Sequence, residues 1–285
     1  MSRLLRTKRF VAREVARTSR ALLSARSGRV VVLCYHSVHP TKPGATPPAL
    51  FDEHLSWLRG NCEIIPYRSV LQAAPEGGNK PAVAITFDDA YEDNHEYALP
   101  SLVEHGAPAT FFLLAGAVER DPDVLARFRR LSGDPGFQPL TWSQVEEMRA
   151  EGMEFGSHSW SHPNLARIDE ASAREELIRS KDVIEERTQH PVPHFAYPFG
   201  KPRRHFTAAT TALVRAAGYT SAAAVLARGV RASDSQFSIP RMYVTVPPEG
   251  ELEEKVAGYR DLHGWWQEHA PLWLARLVAP DDFVV

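Results

Sequence analysis

The sequence predicts a single-domain α/β protein in which parallel strands alternate with helices around one core, and three observations carry that prediction. Short apolar runs at residues 30–35, 83–87, 109–114, 153–156, 195–197, 220–225 and 237–246 read as strands buried on both faces, where near-continuous apolar stretches replace alternation. Longer segments of helical spacing separate them, the βα rhythm of a parallel sheet. A length of 285 residues suits one barrel-type α/β domain with short extensions.

Helices are expected at residues 51–59, 93–105, 123–130, 142–151, 169–188 and 207–217. Two of their starts are well marked. Thr141 and Gln144 have capping-box spacing, and Asp169 leads a long amphipathic stretch. Gly106, Gly152 and Gly218 stand where left-handed helix caps are expected. The Pro-rich stretch from Pro40 to Pro48 reads as a surface loop after the first strand, placed so that it could cover a site.

The domain limits follow: a basic amphipathic helix over residues 1–28, the barrel over 29–248, and a helical extension over 249–285 that carries Trp265, Trp266 and Trp273. Met1 to Arg29 holds nine Lys or Arg against the single acid Glu14. Arginines interrupt every apolar stretch there, so no secretory signal is expected, and no segment approaches the roughly 20 apolar residues of a membrane span. Leu4, Val11, Val15 and Leu22 form one helical stripe opposite the arginines, a pattern that could touch an anionic membrane surface or pack on the domain. The expectation is a cytoplasmic protein, with the inner membrane face as a peripheral contact. A formal net charge of -2 argues against a nucleic-acid-coating surface. Cys34 and Cys62 make no disulfide framework, and Cys34 reads as a buried free thiol.

Four strand candidates run directly into polar residues: Tyr35-His36, Asp88-Asp89, Ser157-His158 and Tyr197-Pro198-Phe199-Gly200. In barrels of parallel strands, function collects at these C-terminal strand ends. Two adjacent carboxylates after a buried strand repel unless a cation compensates them; one can then bind the metal while the other accepts a proton from water. Alone, the pair reads equally well as a helix-capping turn. His158 and His162, four residues apart, add two imidazoles expected on one side of a helical turn. Two histidines and a carboxylate make a catalytic rather than a structural metal site, suited to zinc, with cobalt or nickel as alternatives.

Thr86-Phe87-Asp88-Asp89 followed by His158-Ser159-Trp160-Ser161-His162-Pro163-Asn164-Leu165 resembles the polysaccharide deacetylases, the NodB-like carbohydrate esterases. The similarity of layout covers about residues 30–246. The resemblance implies a distorted (β/α)7 barrel, Asp88 as general base, and Asp89, His158 and His162 as metal ligands. The family's third motif reads Arg-x-Pro followed by an aromatic; here Ala196 takes the arginine's place before Tyr197, Pro198 and Phe199. These three are expected to form a groove wall, with the Phe199 amide stabilising an oxyanion. Arg241 is the candidate to tune Asp88 in place of the missing arginine. The family's terminal Leu-x-His is also absent, whereas the first strand ends in His36, as in the circularly rearranged subgroup that modifies exopolysaccharide. His36 is therefore the expected general acid.

What the resemblance implies as activity is metal-dependent removal of acetyl groups from N-acetylated amino sugars in a polysaccharide, an oligosaccharide or a glycan precursor. O-acetyl esters and small cyclic amides are alternative substrates for the same site. A sugar-binding pseudoenzyme is a third reading, founded on the missing arginine. Tyr91, Trp160, Tyr197 and Phe199 are candidates to line a sugar groove, though at least half belong to the core if ordinary burial prevails.

Overall fold

The computed structural model of the chain describes residues 28–76, 80–244, 251–259, 261 and 264. The expected N-terminal helix, but for Gly28, and Trp265, Trp266 and Trp273 lie outside them.

Strands β1 (Val30–Tyr35), β3 (Ala82–Phe87), β4 (Ala109–Leu113), β5 (Glu154–Ser157), β6 (His194–Ala196), β7 (Ser221–Val225) and β8 (Ile239–Tyr243) pair in parallel, and a β1–β3 pairing closes them into a seven-stranded barrel. The short β2 (Glu63–Ile64) lies beside β3 at the end where β4 has not yet begun. Helices α1 (Pro48–Asn61), α2 (Val70–Glu76), α3 (Leu99–His105), α4 (Ala115–Val118), α5 (Pro122–Ser132), α6 (Trp142–Ala150), α7 (Glu170–Thr188), α8 (Ala208–Ala216) and α9 (Glu251–Ala257) fill the connections. The (β/α)7 expectation holds. Strand β2, helix α2 and helix α4 are additions that the apolar pattern did not signal, because each is too short to show a period.

Helix starts follow side-chain chemistry. Asp121, Thr141, Asp169 and Thr207 accept hydrogen bonds from backbone amides of the first turns of α5, α6, α7 and α8, and Thr141 with Gln144 forms the expected capping box. Gly106 ends α3 with φ 59°, where a side chain would be strained. Among the described residues, no helix is long and apolar enough to cross a membrane.

Alternate residues of each strand divide into two clusters. Val31, Leu33, Val83, Ile85 and Phe111 pack outward on the helices, while Val30, Val32, Ala84, Phe112, Ala196 and Ala223 fill the interior. Small interior side chains make room for larger ones: a Cβ at Gly156 would lie 2.5 Å from the Phe112 ring. The β1–β3 register opposes Cys34 to Thr86 and Tyr35 to Phe87, so the next residues, His36 and Asp88, emerge together at the rim.

Helix α1 packs on β1 with His54, 6% exposed, whose Nδ1 lies 3.1 Å from the Tyr35 hydroxyl. Burial, with a smaller contribution from Lys255, lowers the His54 pKa to about 4. The folded value lies below the unfolded one of roughly 6.5, so the unfolded chain takes up the proton first and stability falls as pH drops from 6.5 towards 4. His54→Gln is expected to remove about 2 kcal/mol of the stability difference between pH 7 and pH 5. Urea unfolding of both proteins at both pH values measures this, and an unchanged pH dependence would refute the assignment.

Candidate active site

Asp88 and Asp89 follow β3 directly. Asp89 and Ala90 adopt left-handed backbone (φ 73° and 60°), a turn that sends two consecutive carboxylates in different directions. Asp88 stays inside the barrel mouth. There Arg241 of β8, wholly buried, donates from both terminal nitrogens to the two Asp88 oxygens at 2.7 Å and, more weakly, to Thr86 Oγ1 at 3.2 Å. Burial pushes the Asp88 carboxyl up, but the Arg241 guanidinium outweighs it, helped by His158, and holds Asp88 below the usual carboxylate range. Cys34 Sγ approaches Asp88 Oδ2 at 3.4 Å.

Asp89 turns towards the histidines. His158 Nε2 and His162 Nε2 lie 3.4 and 3.5 Å from the same oxygen, Asp89 Oδ1, which is buried and has no hydrogen-bond partner. The Nδ1 of His158 donates to the Ala196 carbonyl at 2.8 Å, leaving the Nε2 lone pair facing Asp89. Burial lowers the pKa of both imidazoles and, together with the neighbouring Asp88 charge, raises that of Asp89. Two neutral imidazoles and a carboxylate whose charge is disfavoured without a counter-ion, all within 4.8 Å of one another, fit a divalent cation.

The expected helical turn from His158 to His162 is not there. This segment is a loop after β5, with Ser159 and His162 in left-handed conformation (φ 69° and 58°). Its backbone is held from outside. The Ser159 and Trp160 carbonyls accept from Ala115 and Gly116, Ser159 Oγ accepts from the His162 amide at 3.0 Å, and the Glu176 carboxylate of α7 accepts from the Trp160 and Ser161 amides at 2.9 and 2.8 Å. The ligand spacing of four is thus met by strain-tolerant turns and a carboxylate clamp rather than by helix geometry. Removing that clamp with Glu176→Ala, which leaves no acceptor for these amides, is expected to weaken metal affinity about tenfold. A competition titration against a zinc-sensitive dye reads this directly; unchanged affinity would rule the clamp out.

His36, at the end of β1, places its ring 4.6 Å from the Tyr243 ring and its Nε2 3.7 Å from Asp89 Oδ2. Burial lowers its pKa to about 4, with the Asp88 charge opposing, so the imidazole rests neutral. Phe199, half-buried with φ 60°, packs its ring 4.6 Å from that of His162. Three other aromatics expected at a groove are core residues. Tyr197 is fully buried, stacks on Phe206 at 3.8 Å and donates its hydroxyl to the Phe237 carbonyl at 3.1 Å; Tyr91 and Trp160 are 5% and 8% exposed. Their placement follows strand parity and loop anchoring, which turn these rings away from the rim. Pro198 is likewise buried, so of the expected Tyr197–Phe199 wall Phe199 alone retains partial exposure.

The sequence pattern of polysaccharide deacetylases matches residues 76–222, just over half of the chain. The chain belongs to the polysaccharide deacetylase family. Among its relatives, YxkH of Bacillus subtilis is 25% identical over 189 residues, 65% of this chain and 61% of that protein. A peptidoglycan-N-acetylglucosamine deacetylase of Bacillus cereus is 28% identical over 124 residues, 43% of this chain and 38% of that one. The matches thus span less than two thirds of these relatives. In fold, this family member resembles the Streptococcus pyogenes deacetylase PplD (TM-score 0.68, 22% identity, 80% of this chain and 98% of that one) and IcaB from Ammonifex degensii (TM-score 0.65, 24% identity, 80% and 96%).

Cys34, Glu176, Asp93 and Asn94 also surround the cluster, and none was singled out in the sequence for a role there. Cys34 had a usable signal. It lies on β1 two residues before His36, the extended spacing that puts both on one side.

Proposed function

We propose that this chain is a metal-dependent hydrolase that removes acetyl groups from N-acetylated amino sugars of a glycan. One observation carries the proposal: Asp89, His158 and His162 converge as a ligand set beside Asp88, whose charge Arg241 secures, at the C-terminal mouth of a polysaccharide deacetylase barrel. Zinc is the proposed metal, with cobalt and nickel as substitutes for the same donors.

A divalent cation at this triad would polarise the acetyl carbonyl and acidify the attacking water. Asp88, ionised and beside the triad with its Oδ2 3.9 Å from His158 Nε2, takes the proton from that water. The Phe199 amide donates to the oxygen that gains charge. His36 enters neutral, so the proton it gives to the leaving nitrogen is one gained during the reaction; a His36 ring nitrogen and an Asp88 oxygen lie within 4.8 Å of each other. Water's proton then passes through Asp88 and His36 to the amine. The position of His36 at the end of the first strand supports placement in the circularly rearranged exopolysaccharide subgroup.

The pseudoenzyme reading rested on the arginine missing before Tyr197. A guanidinium on Asp88 supplied from β8 takes that ground away. Purified protein is expected to release acetate from N-acetylglucosamine oligomers, to lose this activity on chelation and to regain it with zinc or cobalt. No release with zinc, cobalt or nickel, despite stoichiometric binding, would overturn the proposal; preferential release from O-acetylated xylan fragments would redirect it to ester hydrolysis.

A further inference from the structure

Among the described residues, no side-chain hydrogen bond fixes the His36 ring. Its Nδ1 is buried without a partner, and its Nε2 stands 3.7 Å from Asp89, beyond hydrogen-bond reach. Its direction therefore rests on packing against the Tyr243 ring and on the backbone that carries it, residues 36–38, beyond the β1–β3 pairing.

Thr46 holds one side of that backbone, its amide donating to the Ser37 carbonyl at 3.0 Å and a bridge joining it to Val38; the other side is gripped from the segment that follows the carboxylates. Beyond the Asp88-Asp89 turn, residues Asn94–Ala98 wind as a π-helical turn before α3 begins. Such turns are rare and concentrate at functional sites. Asn94, wholly buried, donates from Nδ2 to the His36 carbonyl at 2.7 Å, and the same nitrogen lies 3.3 Å from Asp93 Oδ1. An atom facing a carbonyl and a carboxylate has to be the amide nitrogen. Asp93, 6% exposed, accepts from Ser37 Oγ at 2.6 Å, from the Val38 amide at 3.2 Å and from Lys42 Nζ at 3.1 Å. Lys42 also reaches Asp134 at 3.2 Å. Three consecutive residues, His36, Ser37 and Val38, are thus held by two adjacent side chains rooted next to the catalytic carboxylates.

Stability alone does not account for Asn94. Its Oδ1 is buried without a partner, a penalty that an apolar residue of similar size would avoid. What the amide uniquely offers is the donor to His36.

We propose that Asp93 and Asn94 are a positioning pair for His36, locking its backbone to the Asp88-Asp89 turn so that the imidazole meets the leaving nitrogen. This rests on the deacetylase reading above. The pair also explains why a first-strand histidine can serve a site built mainly on β3 and β5: its register with Asp88 does not depend on strand pairing past Tyr35.

Asn94→Asp is the isosteric test, because an ionised carboxylate cannot donate to the carbonyl. With N-acetylglucosamine oligomers and zinc-loaded protein, kcat is expected to fall about tenfold or more with KM little changed. Zinc stoichiometry is expected to stay the same, and the His36 ring resonances in a nitrogen-edited imidazole spectrum to shift. A purely structural Asn94 would lower Tm yet leave kcat and those resonances of the folded protein alone, and that outcome overturns the proposal. Asp93→Asn and Asn94→Ser give the same readouts should the aspartate variant not fold. If the wild type itself releases no acetate, the deacetylase reading fails separately, and the ring resonances of the variants still decide whether the pair positions His36.

Discussion

Asp88→Asn is expected to abolish acetate release, with a loss of about 10³-fold or more, while the protein keeps its metal. The loss follows from the role proposed for this carboxylate: an amide cannot accept the proton of the attacking water, and a positioned base commonly contributes 10²–10⁴-fold. Metal retention follows from geometry. Asp89 Oδ1 is the oxygen that faces both histidines at 3.4 and 3.5 Å, whereas Asp88 Oδ2 stands 3.9 Å from His158 Nε2 and is bound by Arg241. Metal analysis of the purified variant beside its turnover measures both at once. Turnover within tenfold of the wild type would remove Asp88 as base, and loss of metal would move it into the ligand set. His158→Ala, by contrast, takes away a donor and is expected to lose metal and turnover together.

How much of this was legible in the sequence depends on whether position or contact was being asked for. The strands were legible because burial on both faces leaves an apolar run that no surface element imitates, and 30–35 matched β1 residue for residue. His36, Asp88, Asp89 and His158 were legible for a related reason: each is the first or second polar residue after such a run. His162 was found for an incorrect reason. Spacing of four suggested a helical turn, but Ser159 and His162 sit at positive φ in a loop tied down by Glu176, which is fourteen residues further along the chain. No local pattern announces that clamp. Tyr197 failed in the opposite direction. An aromatic beside a strand end looks like a sugar platform, yet strand parity turns it outward under Phe206. Asn94 was hidden because its single decisive bond runs to a backbone carbonyl 58 residues away.

Arg241 was named as the candidate for the missing arginine's role, and its substitution carries the largest expected effect on stability. Arg241→Met leaves the buried Asp88 carboxylate without its two charge-assisted hydrogen bonds, a change that costs about 3–5 kcal/mol when one partner of a buried pair is removed. The sign with pH is the test of cause. In the wild type Asp88 is held below the usual range, so its pairing stabilises above the unfolded pKa and is lost only in strong acid. In the variant, burial is left to act alone and raises the Asp88 pKa, so the carboxyl takes a proton and the buried charge disappears as pH falls. The destabilisation is therefore expected to be greatest near pH 8 and to shrink towards pH 5. The double variant Asp88→Asn, Arg241→Met carries neither charge and is expected to recover much of the stability, though none of the activity. Urea unfolding of wild type, single and double variants across this range gives the coupling directly. An Arg241→Met protein as stable as the wild type at pH 8, or one whose deficit is the same at every pH, would show that Arg241 packs beside Asp88 without securing its charge; the explanation for an ionised base inside this barrel would then have to come from the cation at the triad rather than from β8.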